Sequence, residues 1–219
     1  MDIIQAIKER HSVRAYTGKK IEEEKRRKLE EMIKECNEES GLHIQIRYDD
    51  PSGFDSRLAH YGKFRNVENY IIMAGFPSDD LQEKCGYYGE KIVLEAQMMG
   101  LNTCWAALTF NKGNVEKIIP ATEKLVLVIA IGYGENQGKA HKSRSLESVM
   151  ATKGKIPDWF RKGAEAALLA PTALNQQKFK MGIKDGSPVI RISGKGPYVK
   201  IDLGIVKYHF EAASGHKVR

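Results

Sequence analysis

Apolar residues recur every three or four positions in several stretches of the chain. This spacing places apolar side chains on one face of a helix. It predicts five helices, over residues 2–9, 22–38, 79–99, 157–169 and 202–213. Ser40-Gly41 and Gly100 are predicted to end the second and third helices, because glycine readily takes the left-handed conformation that closes a helix.

Shorter apolar stretches predict strands between these helices. Leu42, Ile44 and Ile46 alternate with polar residues, which is the pattern of a half-buried strand. Two continuous apolar runs suit strands that are covered on both faces. Strands are predicted over residues 42–47, 69–75, 125–131, 179–183 and 189–192, and a polar loop over residues 49–66.

The elements fall into a longer series and a shorter one. The longer series fills residues 1–150, and we interpret it as a core domain; residues 151–219 form a second, shorter repeat. Tyr88–Ala96 and Leu203–Ala212 resemble each other, since both have a glycine near the start and Glu-Ala near the end. This similarity suggests a diverged duplication or a pseudo-dimer, and chance is the alternative explanation.

Composition is that of an ordinary folded protein. The chain has 219 residues, 42% of them hydrophobic and 29% charged, which argues against disorder. No window approaches 18 uninterrupted apolar residues, so no membrane span is predicted. The first residues lack a basic stretch followed by an apolar one, so no secretory signal is predicted. The odd number and wide spacing of the cysteines fit a reducing compartment, and we expect a cytoplasmic protein.

Charge and cysteine content narrow the kinds of partner. Lys and Arg number 35 against 28 Asp and Glu, a net charge of +7 that favours anionic partners such as phosphates and nucleotides. No basic run is interleaved with aromatic residues, so a nucleic-acid partner is not expected. The three cysteines are widely spaced and the histidines dispersed, which argues against a disulfide framework or a metal site.

Arg10, Ser12 and Arg14 form the first candidate anion site. In an extended segment, side chains at these alternate positions point to the same side. Two guanidinium groups beside a hydroxyl suit a terminal phosphate. The alternative is an exposed turn in which both arginines are solvated.

Lys142 and Arg144, with Ser143 between them, form the second candidate anion site. They follow the predicted strand 125–131, and loops at strand ends often hold ligands. A basic surface loop is the alternative. Together, the two basic sets could contact one phosphate.

Two further segments have the composition of a ligand site. Residues 170–177, Ala-Pro-Thr-Ala-Leu-Asn-Gln-Gln, offer amide groups that both donate and accept hydrogen bonds, as a ligand with imide and carbonyl edges requires. Residues 100–109 place small side chains beside Trp105, which permits close approach to a flat ring. Capping of a helix end and core packing are the respective alternatives.

Several well-known catalytic motifs are absent from the sequence. It contains no Gly-x-Gly-x-x-Gly, no phosphate-binding loop of the form Gly-x-x-x-x-Gly-Lys-Ser/Thr and no Gly-x-Ser-x-Gly. No side-chain nucleophile with an assigned base is evident.

In combination, these segments resemble the FMN-dependent nitroreductase family. The resemblance rests on Arg10-His-Ser-Val-Arg-Ala-Tyr16 after an N-terminal helix, Gly100-Leu-x-x-Cys-Trp105, Gly132-Tyr133 and Lys142-Ser-Arg-Ser-Leu146. It implies an α+β fold with a mixed central sheet flanked by helices. In the common family pattern the Ala-Pro-Ser-x-x-Asn-x-Gln segment lies early in the chain. Here its counterpart begins at Ala170, as in nitroreductases built from two unequal repeats.

The resemblance also implies roles for individual residues. Arg10, Ser12, Lys142 and Arg144 would hold the FMN phosphate, and Arg14 would lie nearer the ribityl chain and the pyrimidine edge. The remaining expected FMN contacts are Pro171, Thr172, Ala173 and Asn175 from the second repeat, and the backbone of Ala106, Ala107 and Leu108. Glycines are usual in the family where Ala106-Ala107-Leu108 stands.

The resemblance finally implies an activity. The flavin would carry the chemistry, with no catalytic side chain, and would pass hydride from NAD(P)H to a nitroaromatic, a quinone or a similar small acceptor. The molecule would be a monomeric pseudo-dimer or a homodimer. A non-catalytic flavin- or nucleotide-binding protein of the same fold is the alternative.

Overall fold

The computed structural model describes residues 1–152, Gly154 and residues 156–219. It confirms the predicted α+β class, with sheets flanked by helices. The helices are α1 (Ile3–Glu9), α2 (Glu23–Ser40), α3 (Arg57–Tyr61), α4 (Leu81–Met98), α5 (Lys112–Glu116), α6 (Leu146–Val149), α7 (Asp158–Ala167) and α8 (Val199–Ser214). The strands are β1 (Gln45–Arg47), β2 (Tyr70–Gly75), β3 (Asn102–Ala106), β4 (Lys124–Gly132), β5 (Phe179–Lys184) and β6 (Ser187–Ile192).

The helices that show clear periodicity all form close to where they are predicted. These are α1, α2, α4, α7 and α8. Gly41 follows α2 with φ 71°, and its N–H donates to the carbonyl of Asn37, as expected of a glycine that closes a helix. Helices α3, α5 and α6 are not predicted by the sequence pattern, because four or five residues are too few to show a period.

Strand β3 is also not predicted by the sequence pattern. Its residues, Asn-Thr-Cys-Trp-Ala, neither alternate cleanly nor form a continuous apolar run. Pairing with β4 across the whole strand makes it part of the sheet, so a tertiary contact decides its structure. Residues 49–66, predicted as a loop, contain α3 and a short 3₁₀ turn over Pro51–Gly53.

One compact unit comprises residues 10–81 and 92–139. Its sheet has the strand order β1-β2-β4-β3, and every pair of strands in it is antiparallel. Parallel pairing is confined to isolated bridges, Ser12 with Thr103 and Ala15 with Arg65. The six residues of β2 are all buried, as the continuous apolar run predicts.

The other compact unit comprises residues 1–9, 82–91 and 140–219. Helices α7 and α8 pack together in it, and β5 and β6 form an antiparallel hairpin. These units are not divided at residue 150, so the two-repeat division of the sequence stays a prediction.

Within this second unit, α4 and α8 approach each other at two glycines. A methyl group on Gly86 would overlap the carbonyl oxygen of Ile201, and one on Gly204 would overlap the carbonyl oxygen of Glu83. Gly86 therefore contacts Ile201, three positions before Gly204, and Gly204 contacts Glu83, three positions before Gly86. Such reciprocal contacts are typical of interfaces with twofold symmetry, and here they occur inside one chain.

Polar pairs flank this crossing. The fully buried His209 and Glu90 lie 2.8 Å apart, between Nε2 and Oε1. Lys207 donates to Glu83, and the Tyr87 hydroxyl donates to Glu211 at 2.7 Å. Because buried charges need partners, these pairs require the helices to keep one alignment.

We predict that Gly86→Ala and Gly204→Ala each lower the free energy of unfolding by about 1–3 kcal/mol, because the added methyl group meets rigid backbone. Urea titration followed by circular dichroism measures this change. Gly113→Ala in α5 is the control, since a Cβ there meets no atom within 4 Å and alanine favours a helix. Equal stability of the Gly86 and Gly113 variants would contradict the prediction.

Candidate functional site

The segment that contains the first candidate anion site runs in extended conformation beside β3. The N–H of Val13 donates to the carbonyl of Thr103 at 3.0 Å, and Ser12 forms the parallel bridge to the same residue. Val13 and Ala15 are buried. These contacts anchor the segment through its inward positions, whereas Ser12 is half-buried and Arg14 is exposed.

Arg10, Ser12 and Arg14 all lie near the Cys104 thiol. Burial raises the pKa of Cys104, while Arg14, a hydrogen bond with Ser12 and Arg10 each act to lower it. Arg10 is buried and Arg14 is exposed, with its guanidinium carbon 5.9 Å from the centre of the Phe64 ring. Two guanidinium groups and a hydroxyl thus act on one buried thiol within one unit.

Residues 106–108 continue from the end of β3. Ala106 is buried in the apolar core of its unit, Ala107 is half-buried and Leu108 is 68% exposed. The methyl group of Ala106 therefore packs into the core. Leu108 is the member of this segment whose side chain reaches solvent.

In the second unit, the structure brings together two segments that are distant in sequence. The carbonyl oxygen of Lys142 accepts one hydrogen bond from the Asn175 side chain and one from the Gln177 side chain, each at 2.9 Å. Lys142 and Arg144 were predicted from one segment and Asn175 from another. Their contact places the predicted phosphate ligands beside the predicted flavin ligands.

Gln177 organises this cluster. Its side chain is buried, and its Oε1 accepts from the N–H of Arg144 at 2.9 Å. Its Nε2 also donates to Asn175 Oδ1 at 2.7 Å, and the Arg144 guanidinium donates to its main-chain carbonyl at 3.3 Å. The Gln177 amide therefore connects the backbone of residues 142–144 with the loop that contains Asn175.

The backbone of residues 173–177 is strained. Leu174, Asn175 and Gln177 have φ values of 53°, 51° and 43°, in the left-handed region that disfavours residues with a side chain. Leu174 is also 90% exposed. Strain of this kind concentrates at functional sites, where surrounding contacts hold it.

Asp202, in the first turn of α8, supplies such contacts. Its Oδ1 accepts from the N–H of Ala173 at 2.9 Å, and its Oδ2 accepts from the Gln176 side chain at 2.7 Å. The carboxyl group is almost fully buried, and this burial raises its pKa to about 6, against the lowering effect of the two hydrogen bonds. Thr172 contributes its hydroxyl, which accepts from the N–H of Gln177.

Sequence reasoning does not single out Gln177 or Asp202 as site residues. Gln177 lies in the segment noted for its amides, but its role depends on the loop around Lys142. Asp202 lies in a predicted helix, where a carboxylate is usually solvated. The one sequence signal for Asp202 is a charged residue within an otherwise apolar stretch, Ile201 to Val206.

Other chemistries find no support in the described part of the chain. It contains no group of three or more His, Cys, Asp or Glu residues suited to a metal ion. Among the helices described, none is both long and apolar enough to cross a membrane. Cys85 is buried, which raises the pKa of its thiol to about 12 and makes it a poor nucleophile.

Comparison with protein families identifies the class to which the chain belongs. Residues 2–214 match the model of a family described as "Putative TM nitroreductase". The chain therefore belongs to this nitroreductase family, as the sequence motifs predict. A search of curated proteins finds no match.

Solved structures agree with this assignment. A "putative nitroreductase" from Thermotoga maritima is 25% identical and has a TM-score of 0.70, with 97% of this chain and 83% of that chain covered. An FMN-dependent nitroreductase from Clostridium difficile shares the fold at 20% identity and a TM-score of 0.53, with 64% of this chain and 91% of that chain covered. A nitroreductase-like protein from Desulfovibrio desulfuricans, solved in complex with FMN, shares the fold at 17% identity and a TM-score of 0.53. The match covers 70% of this chain and 98% of that chain.

We predict that Gln177→Ala lowers the free energy of unfolding by about 2 kcal/mol, because it removes the acceptor of the Arg144 N–H and the two hydrogen bonds that the buried amide donates. Urea denaturation measures the loss. Gln82→Ala in α4 is the matched control, since the Gln82 side chain forms no hydrogen bond with the described residues. A loss of the same size in both variants would argue against the organising role of Gln177.

We predict a pH dependence of stability from Asp202. Its pKa is higher in the folded protein, about 6, than the ordinary value of 3.8, so the folded state binds the proton more tightly. This contribution to stability is complete below about pH 4 and is lost as the pH rises through 6. The stability difference between wild type and Asp202→Asn should fall by about 2 kcal/mol from pH 4 to pH 7 in urea titrations. A constant difference would refute the raised pKa.

Proposed function

We propose that the protein is an FMN-dependent oxidoreductase that passes hydride from NAD(P)H to a nitroaromatic, a quinone or a similar small acceptor. The observation that carries this proposal is the contact of Lys142 with Asn175 and Gln177. Family membership and the FMN-bound relative from Desulfovibrio desulfuricans support it.

The cluster around Lys142 has a donor set suited to a phosphate group. The Lys142 ammonium is exposed and has no hydrogen-bond or ion-pair partner among the residues that the structure describes, so it is available to an anion. Arg144 is exposed too, and its main chain and guanidinium are held by Gln177. A guanidinium held in this way binds phosphate with little loss of side-chain entropy.

The cluster around Cys104 is the second proposed contributor. Arg10 and Ser12 would bind the phosphate, while Arg14 would lie nearer the ribityl chain and the pyrimidine edge. A positive charge at that edge would stabilise the negative charge that reduced flavin carries there, which favours reduction.

The remaining proposed contacts with FMN are mostly main-chain or apolar. Pro171, Thr172 and Ala173 lie at the start of the strained loop, whose geometry Asp202 and Gln177 maintain. In this arrangement the Asn175 side chain is engaged by Lys142 and Gln177, so we propose that it shapes the loop that lines FMN. Ala106, Ala107 and Leu108 would offer their backbone to the ring.

FMN and the protein would have different roles in the proposed reaction. FMN, when bound, supplies hydride transfer, which no protein side chain can perform. The chain would bind the phosphate, orient the ring and leave room for NAD(P)H and the acceptor to enter in turn. No side-chain nucleophile or base is required for this chemistry.

We predict that Lys142→Ala and Arg144→Ala each weaken FMN binding about tenfold, the loss expected for one charge-assisted hydrogen bond. Quenching of FMN fluorescence on titration with the protein measures the affinity. Lys142→Ala is the sharper variant, since it removes no contact within the described protein. Lys162→Ala, an exposed lysine of α7, is the control and should bind FMN as wild type does.

Spectra and turnover of the purified protein test the proposed activity. A protein that binds FMN and consumes NADH or NADPH with a quinone supports it. A protein that binds FMN without turnover would indicate the alternative, a non-catalytic flavin-binding protein. A protein that cannot be loaded with FMN would refute both.

A further inference from the structure

The positive charge of the chain is unevenly distributed. The unit made of residues 1–9, 82–91 and 140–219 contains 18 Lys and Arg against 10 Asp and Glu. The other unit contains 17 against 18, so the unit that includes residues 140–219 carries the entire surplus. An excess of this kind attracts anionic ligands.

Part of this surplus lies on one face of the β5–β6 hairpin. Side chains alternate between the faces of a strand. Phe179, Met181 and Ile190 are buried on one face. Lys180 and Lys184 of β5 point to the other face, together with Arg191 of β6.

This basic face contains an unfavourable contact. Lys180 and Arg191 are directly opposite each other in the antiparallel register. Like charges in such a pair repel and destabilise a hairpin. Neither residue, nor Lys184, forms an ion pair with a carboxylate in the part of the chain that the structure describes. A bound anion would relieve the repulsion.

A cleft of about 240 Å³ lies over this face. Among the residues that the structure describes, Lys180, Lys184, Arg191 and Thr152 line it, and no carboxylate does. The Thr152 hydroxyl oxygen accepts from the N–H of Ile183 at 2.8 Å, so its proton remains available to a ligand. Pockets for whole ligands usually exceed 300 Å³, and this cleft therefore suits a fragment such as a phosphorylated ribose.

The basic face adjoins the proposed phosphate ligands of the functional site. The carbonyl oxygen of Ser148 accepts from Lys180 Nζ at 2.6 Å and from the Arg144 guanidinium at 3.4 Å. One peptide group thus joins the two cationic groups. The basic face therefore lies next to the residue proposed to hold the FMN phosphate.

We propose that this cleft binds the 2′-phosphate of NADPH and so makes NADPH the preferred hydride donor over NADH. The proposal rests on the proposed function, because it concerns the donor used at that site. A phosphomonoester carries up to two negative charges near neutral pH, which matches three cations and a hydroxyl. NADH lacks this group and would leave the Lys180–Arg191 repulsion in place.

Titration calorimetry with the purified protein tests the proposal without requiring turnover. The probes are 2′,5′-ADP, which mimics the adenosine end of NADPH, and 5′-ADP, which has two phosphates but none at the 2′ position. We expect wild type to bind 2′,5′-ADP at least tenfold more tightly, with an affinity that falls as salt rises. Arg191→Gln and Lys184→Gln should each reduce the affinity for 2′,5′-ADP about tenfold. Lys162→Gln, with the same change of charge, should not.

Three outcomes would overturn the proposal. The first is equal affinity of wild type for the two probes. The second is unchanged binding of 2′,5′-ADP in both hairpin variants. The third is that wild type binds a single-stranded oligonucleotide, shows no preference for 2′,5′-ADP, and loses the oligonucleotide affinity in the hairpin variants. The last would assign the basic face to nucleic acid.

In the FMN-loaded protein, Arg191→Gln should lower the ratio of kcat/KM for NADPH to that for NADH about tenfold.

The two proposals fail separately. Failure to bind FMN with normal binding of 2′,5′-ADP would refute the oxidoreductase function and the role of NADPH as hydride donor, and would retain only the 2′-phosphate site. Normal FMN binding and turnover with an unchanged ratio in Arg191→Gln would refute the 2′-phosphate site alone.

Discussion

The close approach of α4 and α8 at Gly86 and Gly204 determines much of the surrounding structure. With no side chain at either glycine, the two helices meet backbone to backbone. This crossing places His209 against Glu90, and it also fixes the start of α8, where Asp202 lies. Asp202 in turn holds the strained loop of the candidate site. The geometry of that loop therefore depends on a helix crossing that contributes no ligand of its own.

The buried pair of His209 and Glu90 adds a second constraint, on the orientation of the histidine ring. Both ring nitrogens face acceptors, since Nδ1 lies 3.0 Å from the carbonyl oxygen of Ala166 and Nε2 lies 2.8 Å from Glu90. Both ring nitrogens therefore have a polar partner inside the protein, which offsets the cost of burying the ring.

The sequence predicts the parts of this protein that repeat a local pattern. Helices α2 and α4 are long enough for hydrophobic periodicity to identify them, and β4 is identified by its continuous apolar run. Strand β3 and the short helices depend on contacts with distant residues, which periodicity does not record. The same distinction applies to the candidate site. Lys142, Arg144 and Asn175 carry recognisable chemistry, but the hydrogen bonds of Gln177 and the burial of Asp202 exist only in the folded chain.

The reciprocal glycine contact has a consequence for how this molecule can evolve. In a homodimer, a single codon change at a twofold interface is felt on both sides at once. Here Gly86 and Gly204 are encoded separately, so each side of the contact can change while the other keeps its sequence. A substitution on one helix of this crossing can therefore be selected without a matching substitution on the other helix.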